Sequence, residues 1–429
     1  MICIGILGCG TVGSGVVKLL NQNRGIIGQR TGEDIIIKKV LEKDIDKCLR
    51  LGLDTKQIAQ DFSDILNDSE ISIVVELIGG IEPAFTYITE AMKKGKHVVS
   101  ANKDLISTKG KELFNTAQEN QVDFYFEASV GGGIPIIYPM KLSLAGNRIK
   151  EVIGILNGTT NYILTKMSQE GRDFAQVLAE AQKLGYAESD PSADITGLDA
   201  ARKLAILSSI AFNSRVTADD VYVEGITSIT PADIKYAGEL GYAIKLLAIA
   251  KEEDSGIQAR VHPAFIPQHH PLAAVNDVYN AVFIRGDAVG EIMHYGRGAG
   301  QMPTASAVVG DIIDIGRNML NNANTRVGCT CFNEKNLLDI SSLHAQYYIR
   351  MGVKDRPGVL AGIAGVFGNN NVSIAAVIQK ASDVEEAELI LITHTVNEQD
   401  LRDSLTMLGG MSIVKKIENV IRLEGTNRE

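Results

Sequence analysis

The chain has 429 residues, more than one hydrophobic core usually supports, so we expect two or three domains. With 45% hydrophobic and 22% charged residues, it has the composition of an ordinary folded protein, neither disordered nor embedded in a membrane. Its formal net charge of -10 comes without a basic stripe, which argues against a nucleic-acid partner and favours a small-molecule substrate.

From residue 1 to about residue 126, short β-rich runs alternate with amphipathic helical stretches, a pattern typical of βαβ units on a parallel sheet. Strands are predicted at 2–7, 35–41, 73–78, 97–100 and 122–126, and helices at 16–20, before 66, at 83–94 and at 109–120. We therefore predict an α/β domain of the Rossmann type, with a doubly wound parallel sheet, over residues 1–130.

A glycine-rich GxGxxG motif follows the first predicted strand and opens a helix. Besides Cys9, its residues are Gly8, Gly10, Thr11, Val12 and Gly13. The motif alone is weak, but the strand before it and the βα units after it favour a dinucleotide-binding turn over a plain tight turn. Glycines let backbone amides approach a pyrophosphate at the helix N-terminus, so we expect a nicotinamide dinucleotide here.

Charged residues after the second strand bear on the choice of cofactor. An acid at this position favours NAD by binding the ribose 2'-hydroxyl, whereas a cation accommodates the phosphate of NADP. The run from Glu42 through Lys43 to Lys47 offers both types. The cofactor is predicted to be NADP or NAD, with NADP preferred through Lys43 and Lys47; the alternative is that both lysines are only solvated surface.

Ser100 and Lys103 follow the fourth predicted strand directly. They should therefore lie at the carboxyl edge of the sheet, where open α/β folds bind ligands. A lysine at this edge can anchor a substrate or relay a proton. An ordinary surface lysine is the alternative interpretation.

Residues 131–300 are predicted to form a second, α+β domain for catalysis and dimerisation. A helix is expected after residue 135, three helical stretches between 161 and 212, and strands at 151–156, 221–226, 258–266, 279–284 and 289–294. A glycine-rich turn ending at Gly300 precedes a helix at 304–320 that is expected to return to the first domain. Exposed strand edges in this domain suit a homodimer or homotetramer.

The densest group of polar residues runs from Gly185 to Lys203. Asp199 and Lys203 are four residues apart on an otherwise apolar helix, so they share one face. A loop with three acids, among them Glu188 and Asp194, precedes this helix. The pattern favours a buried Asp–Lys pair over a surface ion pair, and a buried lysine suits proton transfer because burial shifts its pKa.

A polar linker at 321–345 leads to a last domain at 346–429. Strands are predicted at 347–353, 372–380, 388–394 and 414–423, and helices at 359–369 and 398–408. This βαββαβ order indicates a ferredoxin-like unit.

Three further patterns exclude other classes of protein. No basic leader precedes the first strand, so we expect a cytoplasmic protein. The longest apolar runs, at 71–78 and 243–250, are too short to span a bilayer and are interpreted as buried strands or helices. Five scattered cysteines predict free thiols. Since no flanking cation or helix start accompanies Cys329 and Cys331, a thiol switch is not expected there.

The cluster at 185–203, together with the upstream run NGTTNY at 157–162, resembles homoserine dehydrogenase, and the resemblance extends in unbroken order to about residue 320. The runs VKDRPGVL at 353–360 and NVSI at 371–374 resemble an ACT domain, which in this family commonly binds an amino-acid effector. The resemblance implies NAD(P)-dependent interconversion of L-homoserine and L-aspartate 4-semialdehyde in threonine, methionine and isoleucine biosynthesis. It also implies feedback inhibition, with L-threonine as the expected effector.

The same resemblance implies residue roles. Lys203 would donate and accept the proton at the reacting oxygen, and Lys103 would lie near cofactor and substrate. Glu188 and Asp199 would hold the substrate, with Asp194 in support. The implied cofactor contacts include Ser100, Lys103, Gly185 and Gly300 besides the glycine-rich motif and Lys43.

In this family a structural monovalent cation, sodium or potassium, lies in a segment similar to residues 127–134. The resemblance places its ligands at Glu127, Val130, Gly132 and Ile134. A glycine-rich backbone that exposes carbonyls to a hard cation is physically reasonable. A plain interdomain turn is the alternative.

Two other functions keep the same fold. A reductase of another amino-acid semialdehyde is disfavoured by the cluster at 188–203, and an aldehyde dehydrogenase with acyl intermediates would need a well-placed cysteine. A catalytically silent amino-acid sensor is disfavoured because Lys103, Asp199 and Lys203 are all present.

Overall fold

The computed structural model of the protein describes residues 1–383 and 386–425. The predicted last domain, 346–429, therefore includes residues 384–385 and 426–429, which lie outside the described residues. Within the described part, no helix combines the length and apolar character that a membrane crossing requires.

The first part of the chain is a six-stranded parallel sheet with helices on its faces. Its strands are β1 (Ile2–Leu7), β2 (Ile35–Leu41), β3 (Ile58–Ala59), β4 (Ile71–Glu76), β5 (His97–Ser100) and β6 (Phe124–Tyr125). Its helices are α1 (Thr11–Gln22), α2 (Arg24–Thr31), α3 (Ile45–Arg50), α4 (Ser63–Leu66), α5 (Ala84–Lys93) and α6 (Lys103–Glu119). The strand order β3-β2-β1-β4-β5-β6 is that of a Rossmann-type domain, and its ligand crevice lies where the order reverses, between β1 and β4.

Several helices of this part differ from the sequence prediction; α1, for example, covers Thr11–Gln22 where only 16–20 was predicted. Helix α6 begins at Lys103, six residues before the predicted start at 109, because the Asn102 side chain accepts the Leu105 amide at 3.1 Å and caps the helix. Lys103 is thus the first residue of a helix that follows the sheet edge. Helix α2 (Arg24–Thr31) lies in a segment for which no element was predicted.

The second part is built on long antiparallel strands. Its strands are β7 (Ile149–Ile155), β8 (Tyr222–Val223), β9 (Tyr242–Glu253), β10 (Gly256–Pro267), β11 (Tyr279–Gly286) and β12 (Gly290–Arg297). Its helices are α7 (Gly158–Glu170), α8 (Phe174–Lys183), α9 (Ser192–Ile195), α10 (Leu198–Ala211), α11 (Pro231–Glu239) and α12 (Gln301–Leu320). The apolar run at 243–250 is a strand, not a helix, because it pairs with β10 on one side and β7 on the other.

Short helical turns complete this architecture. They lie at Thr55–Gln57, Glu127–Ser129, Pro139–Ser143, Ala218–Asp220, Pro271–Ala274 and Ile340–Ser342. The helix expected after residue 135 is only the π turn at Pro139–Ser143.

Helix α12 packs into the core of the first part. Its buried residues Ala305, Val308 and Ile312 belong to the same apolar cluster as β1 and α1. Gly15 of α1 permits this approach, since a Cβ there would lie 2.5 Å from the Gln301 carbonyl oxygen.

The last part has the ferredoxin-like order of strands and helices. Its elements are β13 (His344–Lys354), α13 (Val359–Asn369), β14 (Ile374–Asp383), β15 (Glu386–Thr393), β16 (Val396–Asn397), α14 (Glu398–Gly409) and β17 (Val414–Leu423). Strand β17 runs parallel to β10 and pairs with it, so the second and last parts share one sheet of eleven strands. No pattern in the sequence predicts that the two parts share a sheet.

A buried group of polar residues, here called the docking cluster, also joins the last part to the second. It consists of Asp233 at the start of α11 with Arg350, Glu388 and Asn419 of the last part. Asp233 is fully buried and accepts Arg350 Nε at 2.8 Å and Asn419 Nδ2 at 2.9 Å. Burial alone would raise the pKa of Asp233, but hydrogen bonds from Arg350 and Asn419 lower it overall.

Candidate active site

The glycine-rich turn between β1 and α1 is shaped to receive a pyrophosphate. Gly8 has φ +93°, and a Cβ on Gly13 would lie 2.2 Å from the Gly8 carbonyl oxygen, so both positions require glycine. Gly10 caps α1, and a Cβ there would meet nothing within 4 Å. This open space in front of a helix N-terminus fits the phosphates of a dinucleotide.

Glu42, at the end of β2, turns its carboxylate towards this loop. It accepts the amide of Cys9 at 2.7 Å and that of Lys43 at 2.7 Å. Burial would raise the pKa of Glu42, but these backbone hydrogen bonds lower it overall, so the group is an anion at neutral pH. Lys43 is exposed and Lys47 is half-buried. The side chain that faces the nucleotide turn is therefore that of Glu42. The sequence alone did not show whether this acid or the nearby lysines would face the turn.

Ser100 shapes the turn between β5 and α6. Its hydroxyl donates to the buried Glu76 at 2.7 Å and accepts the Asn102 amide at 3.1 Å. Asn102 Nδ2 in turn donates to the Gly80 carbonyl at 2.6 Å. These contacts fix the position at which Lys103 leaves the sheet edge.

Lys103, Asp199 and Lys203 form one charged group, here called the Asp199 cluster. Asp199 Oδ2 lies 2.7 Å from Lys203 Nζ, and Oδ1 lies 3.3 Å from Lys103 Nζ. Lys203 Nζ also donates to the carbonyl of Leu156, just after β7, at 2.8 Å. The cluster therefore lies where the carboxyl edge of the parallel sheet meets α10 of the second part.

Asn157 connects this cluster to a further acid. It caps α7 by accepting the Thr160 amide at 2.8 Å, while its Nδ2 donates to Asp194 at 2.7 Å and to Asp199 at 2.9 Å. Asn157 is the first residue of the NGTTNY run, for which no separate role was predicted. Its signal was present, because an asparagine before a helical run is a typical N-cap.

The charges in the cluster stabilise one another. Burial would raise the pKa of Asp199, but Lys203 and Lys103 lower it to about 2. Burial would lower the pKa of Lys103, yet Asp199 and Asp104 raise it overall. Asp199 is thus an anion and Lys103 a cation at neutral pH.

The other predicted residues lie around this centre. Asp194 is half-buried and tied to Asn157, whereas Glu188 is exposed, and its carboxylate makes no hydrogen bond or ion pair with any described residue. Gly185 ends α8 with φ +75°, and Gly300 caps α12 with φ +124°. The structure therefore brings Lys103, Asp194, Asp199 and Lys203 together, whereas Glu188 makes no contact with them through its carboxylate.

The segment predicted to hold a cation is a buried turn. The Glu127 carboxylate accepts three backbone amides, from Ile136, Ile137 and Tyr138, at 2.6 to 2.8 Å. Gly132, with φ +57°, lies against the Gly298 carbonyl. The described residues include no group of three or more His, Cys, Asp or Glu placed to hold a metal ion. A cation here would depend on backbone carbonyls more than on the carboxylate.

Comparisons with known proteins agree along the whole chain. The family model "Homoserine dehydrogenase, NAD binding domain" matches residues 8–127, "Homoserine dehydrogenase" matches 135–313, and "ACT domain" matches 347–406. The homoserine dehydrogenase of Bacillus subtilis (strain 168) is 43% identical, with 98% of each chain covered. That of Synechocystis sp. is 46% identical, with 98% of this chain and 99% of the relative covered.

Solved structures give the same picture. A homoserine dehydrogenase from Thiobacillus denitrificans superimposes with a TM-score of 0.94 at 42% identity, covering 99% of this chain and 98% of its own. A hyperthermophilic archaeal homoserine dehydrogenase in complex with NADPH superimposes with a TM-score of 0.64 at 27% identity, covering 75% of this chain and 99% of its own.

Proposed function

The chain belongs to the homoserine dehydrogenase family, and we propose that Lys203 carries the proton of its reaction. The reaction interconverts L-homoserine and L-aspartate 4-semialdehyde with a nicotinamide cofactor. The observation that carries the proposal is the placement of Lys203 Nζ between Asp199 and the Leu156 carbonyl, at 2.7 and 2.8 Å. Two of the three N–H donors of its ammonium are used by these acceptors, and the third is available to a substrate oxygen.

When bound, the nicotinamide ring supplies the hydride acceptor or donor. The proton steps belong to this chain. As an amine, Lys203 accepts the proton of the substrate hydroxyl during oxidation, and as an ammonium it returns a proton to the aldehyde oxygen during reduction. Asp199 and the Leu156 carbonyl fix the direction in which Nζ points.

The substrate is held by the groups around Lys203. Lys103 exposes 32% of its side chain beside Asp199 and so presents a positive charge near cofactor and substrate. We propose that the exposed Glu188 binds the substrate ammonium and that Asp199 shares that task. Asp194 supports Asp199 through Asn157.

The test is turnover followed at the absorbance of the reduced nicotinamide, with L-homoserine and either cofactor. We expect Lys203→Met to lower kcat by about a hundredfold or more, because general acid–base catalysis contributes that much. Lys166→Met is the matched control, since Lys166 forms the same i,i+4 pair, with Glu170, on the surface of α7. Cofactor binding and circular dichroism should match wild type in both variants. Full turnover by a folded Lys203→Met protein would reject the proposal.

We propose that Glu42 makes NAD the better cofactor, against the preference for NADP suggested by Lys43 and Lys47. Its carboxylate is charged, is fixed beside the nucleotide turn and can accept the ribose hydroxyls. A 2'-phosphate at the same place would meet a like charge. The exposed Lys43 partly offsets this repulsion, so we expect NADP to be used less efficiently.

The remaining parts of the proposal concern regulation and assembly. We propose that the ACT domain binds an amino acid, with L-threonine as the inhibitor; unchanged rates across millimolar threonine, isoleucine and methionine would argue against this.

We also propose a structural sodium or potassium ion at Glu127, Val130, Gly132 and Ile134. Its binding would raise the unfolding temperature in a sodium or potassium salt above that in a choline salt. We also propose a homodimer or homotetramer, and domain limits at 130, 300 and 345.

A further inference from the structure

Two cysteines separated by one residue lie over a small, partly open cavity where three parts of the chain meet. The cavity is lined by α6, α10 and the segment 329–331. Lys141 and Arg215 also line it. Both cations are far from Cys329 in sequence, so the expectation that no cation accompanies these thiols is wrong.

The two thiols are placed to react with each other. The Cys331 amide donates to Cys329 Sγ at 3.5 Å, and the Cys331 thiol donates to the Ser209 carbonyl at 3.7 Å. Cys329 is exposed and Cys331 is half-buried. An exposed cysteine therefore has a second cysteine in contact with its sulfur, which is the arrangement found at redox-sensitive cysteines.

The surroundings favour a thiolate at Cys329. The neighbouring Cys331, through its side chain and its backbone amide, lowers the pKa of Cys329, and Arg215 and Lys141 lower it further. Lys141 is held in place by the Gly328 carbonyl at 2.9 Å. Thr330 adds a hydroxyl whose oxygen is buried and has no hydrogen-bond partner within the described part of the chain.

We propose that Cys329 and Cys331 are a thiol-modification site that reacts with hydrogen peroxide and closes to a disulfide within one chain. The Cys329 thiolate attacks one peroxide oxygen, so an S–O bond forms, the O–O bond breaks and the released hydroxide takes up a proton as water. The Cys331 sulfur then gives up its proton and attacks Cys329. The S–S bond forms, the S–O bond breaks and a second water leaves. Two thiols are oxidised and one peroxide is reduced.

Cys9 and Cys48 provide an internal control. Both are fully buried. Burial raises the pKa of Cys9, and it raises that of Cys48 to about 11. Although these two thiols are also neighbours, they lack both exposure and thiolate character, so they should resist peroxide.

The experiment treats the full-length reduced protein with peroxide and reads the peptide of residues 327–335 by mass spectrometry. Trypsin releases this peptide with both cysteines, because it cleaves after Arg326 and Lys335. We expect a loss of two hydrogen masses, reversed by dithiothreitol, while Cys9 and Cys48 remain fully alkylatable. Oxidation of Cys9 or Cys48 before this peptide, or disulfides between chains on a non-reducing gel, would overturn the proposal.

Single substitutions separate the two steps. In Cys331→Ser, Cys329 should stop at a sulfenic acid that dimedone traps, and in Cys329→Ser the peptide should stay unmodified. Lys141→Met should slow the oxidation by about threefold or more, since a nearby cation favours the thiolate. Unchanged melting curves exclude unfolding as the cause. Equal peroxide reactivity in Cys329→Ser and wild type would refute the assignment of Cys329 as the reacting thiol.

Discussion

The docking cluster and the Asp199 cluster each pair a buried aspartate with one or two cations, and they differ in how completely their hydrogen bonds are used. In the docking cluster Asp233 accepts Arg350, Asn419 and its own cap residue Thr230. In the Asp199 cluster the carboxylate is equally engaged, but Lys203 keeps a donor available and Lys103 is partly exposed. The same chemistry thus engages every group of the docking cluster, whereas the Asp199 cluster keeps one donor for a ligand, as the proposed proton transfer requires.

The largest effect on stability should come from the docking cluster. Replacing Asp233 with alanine leaves the Arg350 guanidinium buried without its main partner, which should lower the free energy of unfolding by about 3 to 5 kcal/mol. Urea unfolding measures this. The exposed Asp219→Ala is the control and should change stability by no more than about 0.5 kcal/mol. If Asp233→Ala lowered kcat in the folded protein as strongly as Lys203→Met, the contrast between the two clusters would fail.

A smaller effect, dependent on pH, should come from Asp199. Its pKa is lowered from 3.8 to about 2, so its charged form stabilises the folded state above about pH 4. That contribution, about 2 kcal/mol, is lost as the pH falls from 4 to 2. Asp199→Asn should therefore be less stable than wild type at pH 7, and the gap should close towards pH 2. Urea unfolding at several pH values tests this, and a constant gap would contradict it.

The smallest expected effect concerns Glu42, a partly buried acid beside the nucleotide turn. Removing its charge in Glu42→Ala should shift the ratio of kcat/KM for NAD over NADP by about tenfold towards NADP, the size of one charged hydrogen bond. Steady-state kinetics with both cofactors measure the ratio. Glu90→Ala, an exposed acid on α5, should leave it unchanged. A ratio unaltered in Glu42→Ala would remove Glu42 from cofactor selection.

Local patterns made much of the fold predictable. The alternation of β runs and helices in the first 126 residues and the βαββαβ order after residue 346 correspond to the observed sheets. The i,i+4 spacing of Asp199 and Lys203 predicted a shared helix face, which α10 confirms. These features depend on neighbours within a few residues, where the geometry of a helix or strand fixes what lies together.

Features that join distant segments were not predictable in this way. Nothing near Glu42 in sequence shows that it reaches the Cys9 amide, and the cations beside Cys329 come from residues more than a hundred positions earlier. The role of Asn157 likewise requires Asp194 and Asp199 to be brought to one helix end. Such contacts are set by packing of whole elements, which a single sequence does not reveal.

The pairing of β10 with β17 has a consequence for how the chain is made. Ribosomal synthesis releases β10 long before β17, so a strand that is buried along its whole length in the folded protein first has part of its edge unpaired. An open edge is a template for pairing with another chain. In this protein the last domain therefore also closes a sheet edge of the second part. A chain truncated before β13 should aggregate during expression more readily than it should yield an unregulated enzyme.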